Sequence, residues 1–296
     1  MKPGWLLGIS MLALAGCSSD SDDNNELDAI ELASPALQTC FDTIRNYYGW
    51  TRINQVEVLA CNEPDVATLD GIEQFPNLVQ LNITSEQLTQ VQLANSLIYA
   101  QLESPVLSEV DLTSASSLRY LLLGSPELDD VDLAAVPGLK GLLLDQLPLT
   151  QLDLSLVPEL DELVLKRLPL TTLDLRPVPL LDLLQLDGNE ALSQIRFGDQ
   201  VYLNEMALRD SPLLSSLDLS ALTGLQLFYA TGTGLTGLDL TYNTELSVFE
   251  APGNQFTMQR FDYNTELRYL DLSDNPLSED ARQYLMTLDW VETVKY

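Results

Sequence analysis

Carboxylates are the reactive side chains that this sequence supplies in quantity. The chain carries 44 acidic and 14 basic residues and no histidine. Without an imidazole, the usual general base, the usual zinc ligand and every Ser-His-Asp or Cys-His arrangement are closed to it. Seven of the carboxylates recur in one local context, the middle of a short triplet such as Leu152-Asp153-Leu154: Asp70, Asp111, Asp132, Asp153, Asp174, Asp218 and Asp239, interrupted by Gln92, Arg196 and Arg260. Stacked in space, Asp111, Asp132, Asp153 and Asp174 are candidate calcium ligands, because close carboxylates oppose one another's ionisation unless a cation or proton intervenes. The competing role is hydrogen bonding to nearby turn backbone, with Arg196 relieving repulsion from Asp174 and Asp218. Other carboxylate pairs arise from repetition, so none is singled out as a general acid and base, and no enzyme activity is expected. Calcium at this column is the one cofactor the residues suggest.

The elements that position these groups come from an internal repeat. Leu118-Arg-Tyr-Leu121-Leu-Leu123 returns 21 residues later as Leu139, Leu142 and Leu144, and again as Leu160, Leu163 and Leu165. Extending this LxxLxL pattern places repeat starts at Val56, Leu78, Leu97, Leu118, Leu139, Leu160, Leu181, Leu203, Leu225, Leu246 and Leu267, eleven units in all. Both the LxxLxL core and the nested LDL triplet alternate with period two, as strands do. One unit cannot bury its own leucines, whereas units stacked about 4.8 Å apart build a continuous apolar column and a parallel hydrogen-bond ladder. Asn189, Asn254 and Asn275 stand three residues after the last position of LxxLxL in their units, while Pro105, Pro126, Leu147, Leu168 and Ser211 stand there in others. The turn chemistry of the central repeats therefore stays open.

These motifs resemble the bacterial, nested leucine-rich repeat class of about 21 residues per unit, internalin-like in the broad sense, over about four-fifths of the chain; LTGLDLTYNTEL at 235–246 matches it closely. The resemblance implies a solenoid of about eleven coils over 56–277. It implies short parallel strands on the LxxLxL side, extended segments around the LDL triplets, and asparagines that bond turn backbone.

Both ends of a solenoid need covers. Ser34-Pro35 suits the N-cap and first turn of a helix with Ala36, Leu37, Cys40, Phe41, Ile44 and Tyr48 at helical spacing, and Gly49 stops it. This N-terminal cap is placed at 34–55. Ser278 to Trp290, with Ala281, Tyr284, Leu285 and Leu288 on one face, reads as a closing helix in a C-terminal cap at 278–296. Cys40 lies on the apolar face of the first helix and Cys61 at an inward position of the first repeat. Behind an export signal the two can form a disulfide; two buried thiols are the alternative.

That export signal is read in the first sixteen residues. Lys2 precedes an apolar run from Trp5 to Ala15 that is too short to span a bilayer. The run ends in Leu14-Ala15-Gly16-Cys17, which resembles the lipobox of bacterial lipoproteins and implies cleavage before Cys17 and acylation of its thiol. By the same resemblance, Ser18 after the cysteine implies the outer membrane of a Gram-negative cell, with either leaflet open. Residues 17–33, beginning with acidic and polar SSDSDDNNELD after Cys17, read as a flexible tether; Asp20, Asp22 and Asp23 lack the glycine and closing glutamate of a calcium loop. With a net charge of −30, nucleic acid is excluded as a partner and the lipid alone would hold the membrane.

The outward positions of LxxLxL fall on the concave face of this repeat class. They hold Tyr99, Tyr120, Leu122, Leu143, Val164, Leu183, Leu227, Tyr229, Val248 and Tyr269. Apolar and aromatic groups at solvent-facing strand positions form a candidate surface for a protein or glycan ligand, with the tyrosines as anchors. Packing of these side chains against each other across coils is the alternative. Glu162, Glu205, Glu250 and Asp271 flank the surface, so a partner with apolar and basic groups fits it best. A structural envelope component that self-associates, with calcium on the aspartate column, is the second functional reading.

Overall fold

A computed structural model describes residues 27–296. The segment read as an export signal, Cys17 and the aspartates at 20, 22 and 23 lie outside the described residues.

Period-two burial in each LxxLxL segment produces a short strand. Strands run over Val58–Asn62, Gln80–Thr84, Tyr99–Glu103, Tyr120–Gly124, Gly141–Asp145, Glu162–Lys166, Leu183–Asp187, Glu205–Arg209, Leu227–Thr231, Val248–Glu250 and Tyr269–Asp271. Each begins two residues after an expected repeat start, so the eleven coils are those read from the sequence. Among the described residues these strands form one parallel sheet in chain order, with a twelfth, Thr293–Lys295, at its end. The register holds the leucines in columns: Leu121 pairs with Leu142 and Leu123 with Leu144, and all four are fully buried. In the last coils the column turns aromatic, with Phe228 stacked on Phe249 at 5.1 Å and Phe261 edge-on to Phe249 at 5.2 Å.

The opposite side is less regular than the LDL pattern implies. Two pairs of short strands form, Gln90–Gln92 with Glu109–Asp111 and Thr172–Asp174 with Gln194–Arg196. Elsewhere the chain tightens into single 3-10 turns at Leu133–Ala135 and Leu154–Leu156, where Asp132 and Asp153 accept hydrogen bonds from the N–H groups of Ala134 and Ser155. The carboxylate caps each of these turns.

At the N-terminus, helix α1 (Pro35–Tyr48) starts at Ser34 and stops at Gly49, whose φ of 68° suits glycine. Leu37 and Phe41 are fully buried over the first coil, and Cys40 is bonded to Cys61 across a Cα separation of 5.9 Å. The tether boundary read at residue 33 is corrected. Leu27, Ile30 and Leu32 are buried, Asp28 pairs with Arg45 of α1, and the N–H of Ala33 donates to the carbonyl of Asp70 at 3.1 Å. Three apolar side chains in an acidic stretch suffice to extend the cap to Leu27.

At the other end, helix α2 (Glu279–Leu285) is shorter than its apolar spacing suggests. Ser278 caps it by accepting from the Ala281 N–H at 3.1 Å, and Ala281, Leu285 and Leu288 are buried. The chain then returns to the sheet, pairing Leu270 with Val294. This twelfth strand was not foreseen, because a three-residue segment carries no LxxLxL pattern.

Candidate binding face

Parallel register turns the outward positions into two columns. One runs Tyr99, Tyr120, Gly141, Glu162, Leu183, Glu205, Leu227, Val248 and Tyr269; the other runs Gln101, Leu122, Leu143, Val164, Gln185, Ala207, Tyr229, Glu250 and Asp271. Strands about 4.8 Å apart bring neighbours in a column into van der Waals contact. In the first half they close over. Tyr99, Leu122, Leu143 and Val164 form a second apolar cluster, at 5%, 3%, 8% and 0% exposure, with Tyr120 and Leu183 partly buried against it. The expected ligand surface is corrected at those four positions: they are a subsidiary core on the sheet's outer side. Leu227, Tyr229, Val248 and Tyr269 remain partly exposed, beside Glu205, Glu250 and Asp271.

The phenols show these environments. Burial, aided by Glu103, pushes Tyr99 up to about 12, and its hydroxyl is bonded to the Gln101 amide oxygen at 3.1 Å. Burial also raises Tyr120, with the charges of Asp161 and Glu162 adding to it, and raises Tyr229, with Glu205 and Glu250 adding. Tyr269 is held by the terminal strand: Lys295 Nζ donates to its hydroxyl, lies over its ring at 4.9 Å from the centroid, and stands 3.4 Å from Asp271. Tyr229 is therefore the aromatic side chain on this face with fewest structural duties.

A groove of ≈ 480 Å³, absent from the sequence reading, borders the first half at the strands' C-terminal ends, between Glu103, Gly124, Pro126, Asp145, Lys166 and Arg167. It marks a change of turn. In the second to fourth coils a buried serine, Ser85, Ser104 or Ser125, stands at this turn, as where Ser125 Oγ donates to the Leu107 carbonyl at 2.7 Å. Beyond these coils, Gln146 (φ 66°) and Arg167 (φ 55°) take the left-handed conformation that glycines 188, 232 and 253 take in later coils. Arg167 also grips Asp145 with two nitrogens, at 2.6 and 2.9 Å. The missing asparagines at 126, 147 and 168 signalled unsettled turns but gave no hint of a recess.

Further along, the asparagine ladder forms as expected. Asn275 Nδ2 donates to the carbonyl of Ala251 at 2.8 Å while its Oδ1 accepts from the Phe256 N–H at 3.0 Å; Asn189 and Asn254 bridge their preceding coils in the same way. A second pair escaped the sequence reading. Asn243 and Asn264, in the TYNTEL and DYNTEL segments, donate to the carbonyls of Leu222 and Asn243 at 2.7 and 2.8 Å. The repeated segment itself was the available signal.

The aspartate column resolves into turns. Asp111, Asp132, Asp153, Asp174, Asp218 and Asp239 each accept from the backbone N–H two residues onward, at 2.9 to 3.1 Å. Neighbouring hydroxyls strengthen Asp111 and Asp218, and the guanidinium of Arg176, with a smaller contribution from Arg196, does so for Asp174. Asp111, Asp153, Asp174, Asp218 and Asp239 titrate below the ordinary carboxylate range because hydrogen bonds favour the ionised form. Mutual repulsion would have raised them. Among the described residues no group of three or more metal-ligating side chains comes together, and no helix is long and apolar enough to cross a membrane.

No family model and no curated protein matches the chain. Solved structures do. The functional domain of InlJ from Listeria monocytogenes, described as including a cysteine ladder, is 23% identical over 77% of this chain and 46% of its own, with a TM-score of 0.57. This is the leucine-rich repeat fold. The internalin inlF of the same organism is 16% identical, over 90% of this chain and 96% of its own, at 0.49; internalin C2 is 17% identical, over 94% and 99%, at 0.34. The chain thus spans just under half the length of InlJ's domain. At 23% identity the likeness to the InlJ domain shows the leucine-rich repeat architecture and leaves the ligand to be argued from the residues here.

Proposed function

We propose that this leucine-rich repeat chain is a recognition protein that binds a protein partner through the second half of its concave face. One observation carries this reading. Leu227, Tyr229, Val248 and Tyr269 remain partly exposed and lie outside the outer-face cluster of Tyr99, Leu122, Leu143 and Val164, against which Tyr120 and Leu183 pack, and Glu205, Glu250 and Asp271 border them. A ring of carboxylates around apolar and aromatic anchors matches a partner offering apolar and basic side chains. No reaction is assigned, since the ordered carboxylates serve turns and the chain has no histidine. The lipobox-like Leu14-Ala15-Gly16-Cys17 supports tethering by a lipid on Cys17, and Ser18 supports the outer membrane.

A photo-crosslinking residue in place of Tyr229, in intact cells, tests this. A discrete adduct with one protein, missing when the crosslinker replaces Tyr242 on a different face, supports the reading. Adducts to glycan alone, or equal yields from both positions, overturn it. Metabolic labelling with a fatty acid, lost in C17A, tests the anchor separately.

A further inference from the structure

The residues that lead into the concave strands form their own column, joined coil to coil by backbone hydrogen bonds. Arg119 N–H donates to Ile98 O, Lys140 N–H to Arg119 O, Asp161 N–H to Lys140 O, Asp182 N–H to Asp161 O and Asn204 N–H to Asp182 O, all at 2.8 to 2.9 Å. The side chains along this edge therefore run neutral, plus, plus, minus, minus, neutral. Large apolar groups stand exposed along the same flank: Ile98 at 45%, Leu180 at 47%, Val201 at 46% and Tyr202 at 62%. In a chain with a net charge of −30, two adjacent cations followed by two adjacent anions is an uncommon arrangement.

We propose that this edge is a self-complementary surface on which a second copy of the chain docks about a two-fold axis passing between Lys140 and Asp161. A two-fold axis inverts the order of the column. It sets Lys140 against Asp161 of the second copy and Arg119 against Asp182 of the second copy, each twice. The register is specified by charge. Moving the axis by one coil opposes Arg119 to Lys140 in one direction and Asp161 to Asp182 in the other. Only the central axis gives every charge an opposite partner, and like-charge contacts across an interface are costly enough to select it. The same operation brings Ile98 beside Asn204 and the exposed ring of Tyr202, adding apolar contact at both ends.

Within one copy the acidic half of the edge is undersupplied with cations. Burial holds Asp161 and Asp182 above the ordinary carboxylate range, and Lys140 is the cation that opposes this at Asp161. A second copy would supply the rest. Six coils at about 4.8 Å give a contact strip of about 25 Å, at the small end for protein interfaces, and the overall negative charge opposes approach. The dimer is accordingly weak, with a dissociation constant of roughly 10 µM to 1 mM. This surface lies beside the concave face and does not depend on what that face binds.

Sedimentation equilibrium of the purified full chain, over a concentration series, tests the proposal with K140E, D161K and the swap K140E/D161K. Wild type shows a monomer–dimer equilibrium. Each single variant sets like charges in contact at two places and weakens the dimer by about tenfold or more. The swap restores opposite pairing with the net charge unchanged, and regains the dimer to within about threefold of wild type. Matching circular dichroism and melting temperatures establish that all four chains fold alike. Wild type that stays monomeric to about 1 mM overturns the proposal, as do single variants that dimerise like wild type or a swap that does not recover.

Discussion

The carboxylate of Asp111 accepts hydrogen bonds from both the backbone N–H and the hydroxyl of Thr113, at 2.9 and 2.6 Å. Asp218 does the same with Ser220, and Asp239 accepts from the N–H of Thr241. These aspartates are thus local turn locks, and Gln92 of the preceding coil adds a further hydrogen bond to Asp111 at 3.0 Å. Folded-state values lie below unfolded ones at Asp111, Asp153, Asp174, Asp218 and Asp239, so these groups add stability above the unfolded carboxylate range and lose it as pH falls through their folded values. The melting temperature is expected to drop progressively below about pH 4. In D111N and D218N, whose amide oxygens still accept the turn hydrogen bond, thermal melts between acid and neutral pH should show a shallower drop. Millimolar calcium should leave the wild-type melting temperature unchanged.

Asp161 and Asp182 respond with the opposite sign. Their folded values are raised by burial, so stability is full below the unfolded carboxylate range and is lost as pH rises through the folded values. Replacing either by asparagine removes the cost of ionising a desolvated carboxylate. Denaturant unfolding at neutral pH, at concentrations where the chain is monomeric, should show D161N at least as stable as wild type, and the difference should vanish in acid.

The Cys40–Cys61 bond fastens α1 to the strand Val58–Asn62. Its loss frees the cap that covers Leu59 and Phe75, both almost fully buried. The double variant C40A/C61A should lose about 2–4 kcal/mol in urea unfolding. Hydrogen exchange should rise first in residues 27–62, because coils in a solenoid are stabilised by their immediate neighbours.

Asn254 serves two coils at once, donating to Ala230 O at 2.7 Å and accepting from Leu235 N–H at 3.3 Å while 1% exposed. Truncation to alanine strands those backbone groups away from water, at a cost of about 2–4 kcal/mol. Gln146 offers the reverse case. It holds a φ of 66° with a Cβ, and Q146G should stabilise the chain by roughly 0.5–1 kcal/mol. Arg167→Gly relieves the same strain but removes the grip on Asp145, so equilibrium unfolding should rank it below Q146G.

The coils were legible because LxxLxL combines a fixed period with period-two burial, and eleven repetitions leave little freedom of register. Asn189, Asn254 and Asn275 were legible for the same reason, being tied to a fixed offset from the strand. What escaped lacked repetition. The cap residues Leu27, Ile30 and Leu32 sit singly among acids, and Thr293–Lys295 forms a strand only because the sheet edge receives it. The groove at Arg167 arises from two turn types meeting, a relation between coils that neither shows alone. On the concave face, the outward pattern identified which side chains leave the main core, but whether they pack together depends on their neighbours' sizes across three strands.

Tyr99 and Tyr229 separate packing from recognition on that face, since both are tyrosines on the outer side of the sheet. Tyr99 is 5% exposed and belongs to the cluster with Leu122, Leu143 and Val164, so its truncation leaves a cavity. Y99A should cost about 3–5 kcal/mol and lower the melting temperature by several degrees. Tyr229 is partly exposed between Glu205 and Glu250, its phenol raised by burial and further by these two charges, and its ring covers less apolar surface. Y229A should cost no more than about 1–2 kcal/mol. If Tyr229 is a recognition anchor, capture of the crosslinked partner should fall at least about tenfold in Y229A while its melting curve stays near wild type. Equal losses of stability in the two variants, with partner capture unchanged in Y229A, would place both rings in the core and remove the concave face from consideration as the binding surface.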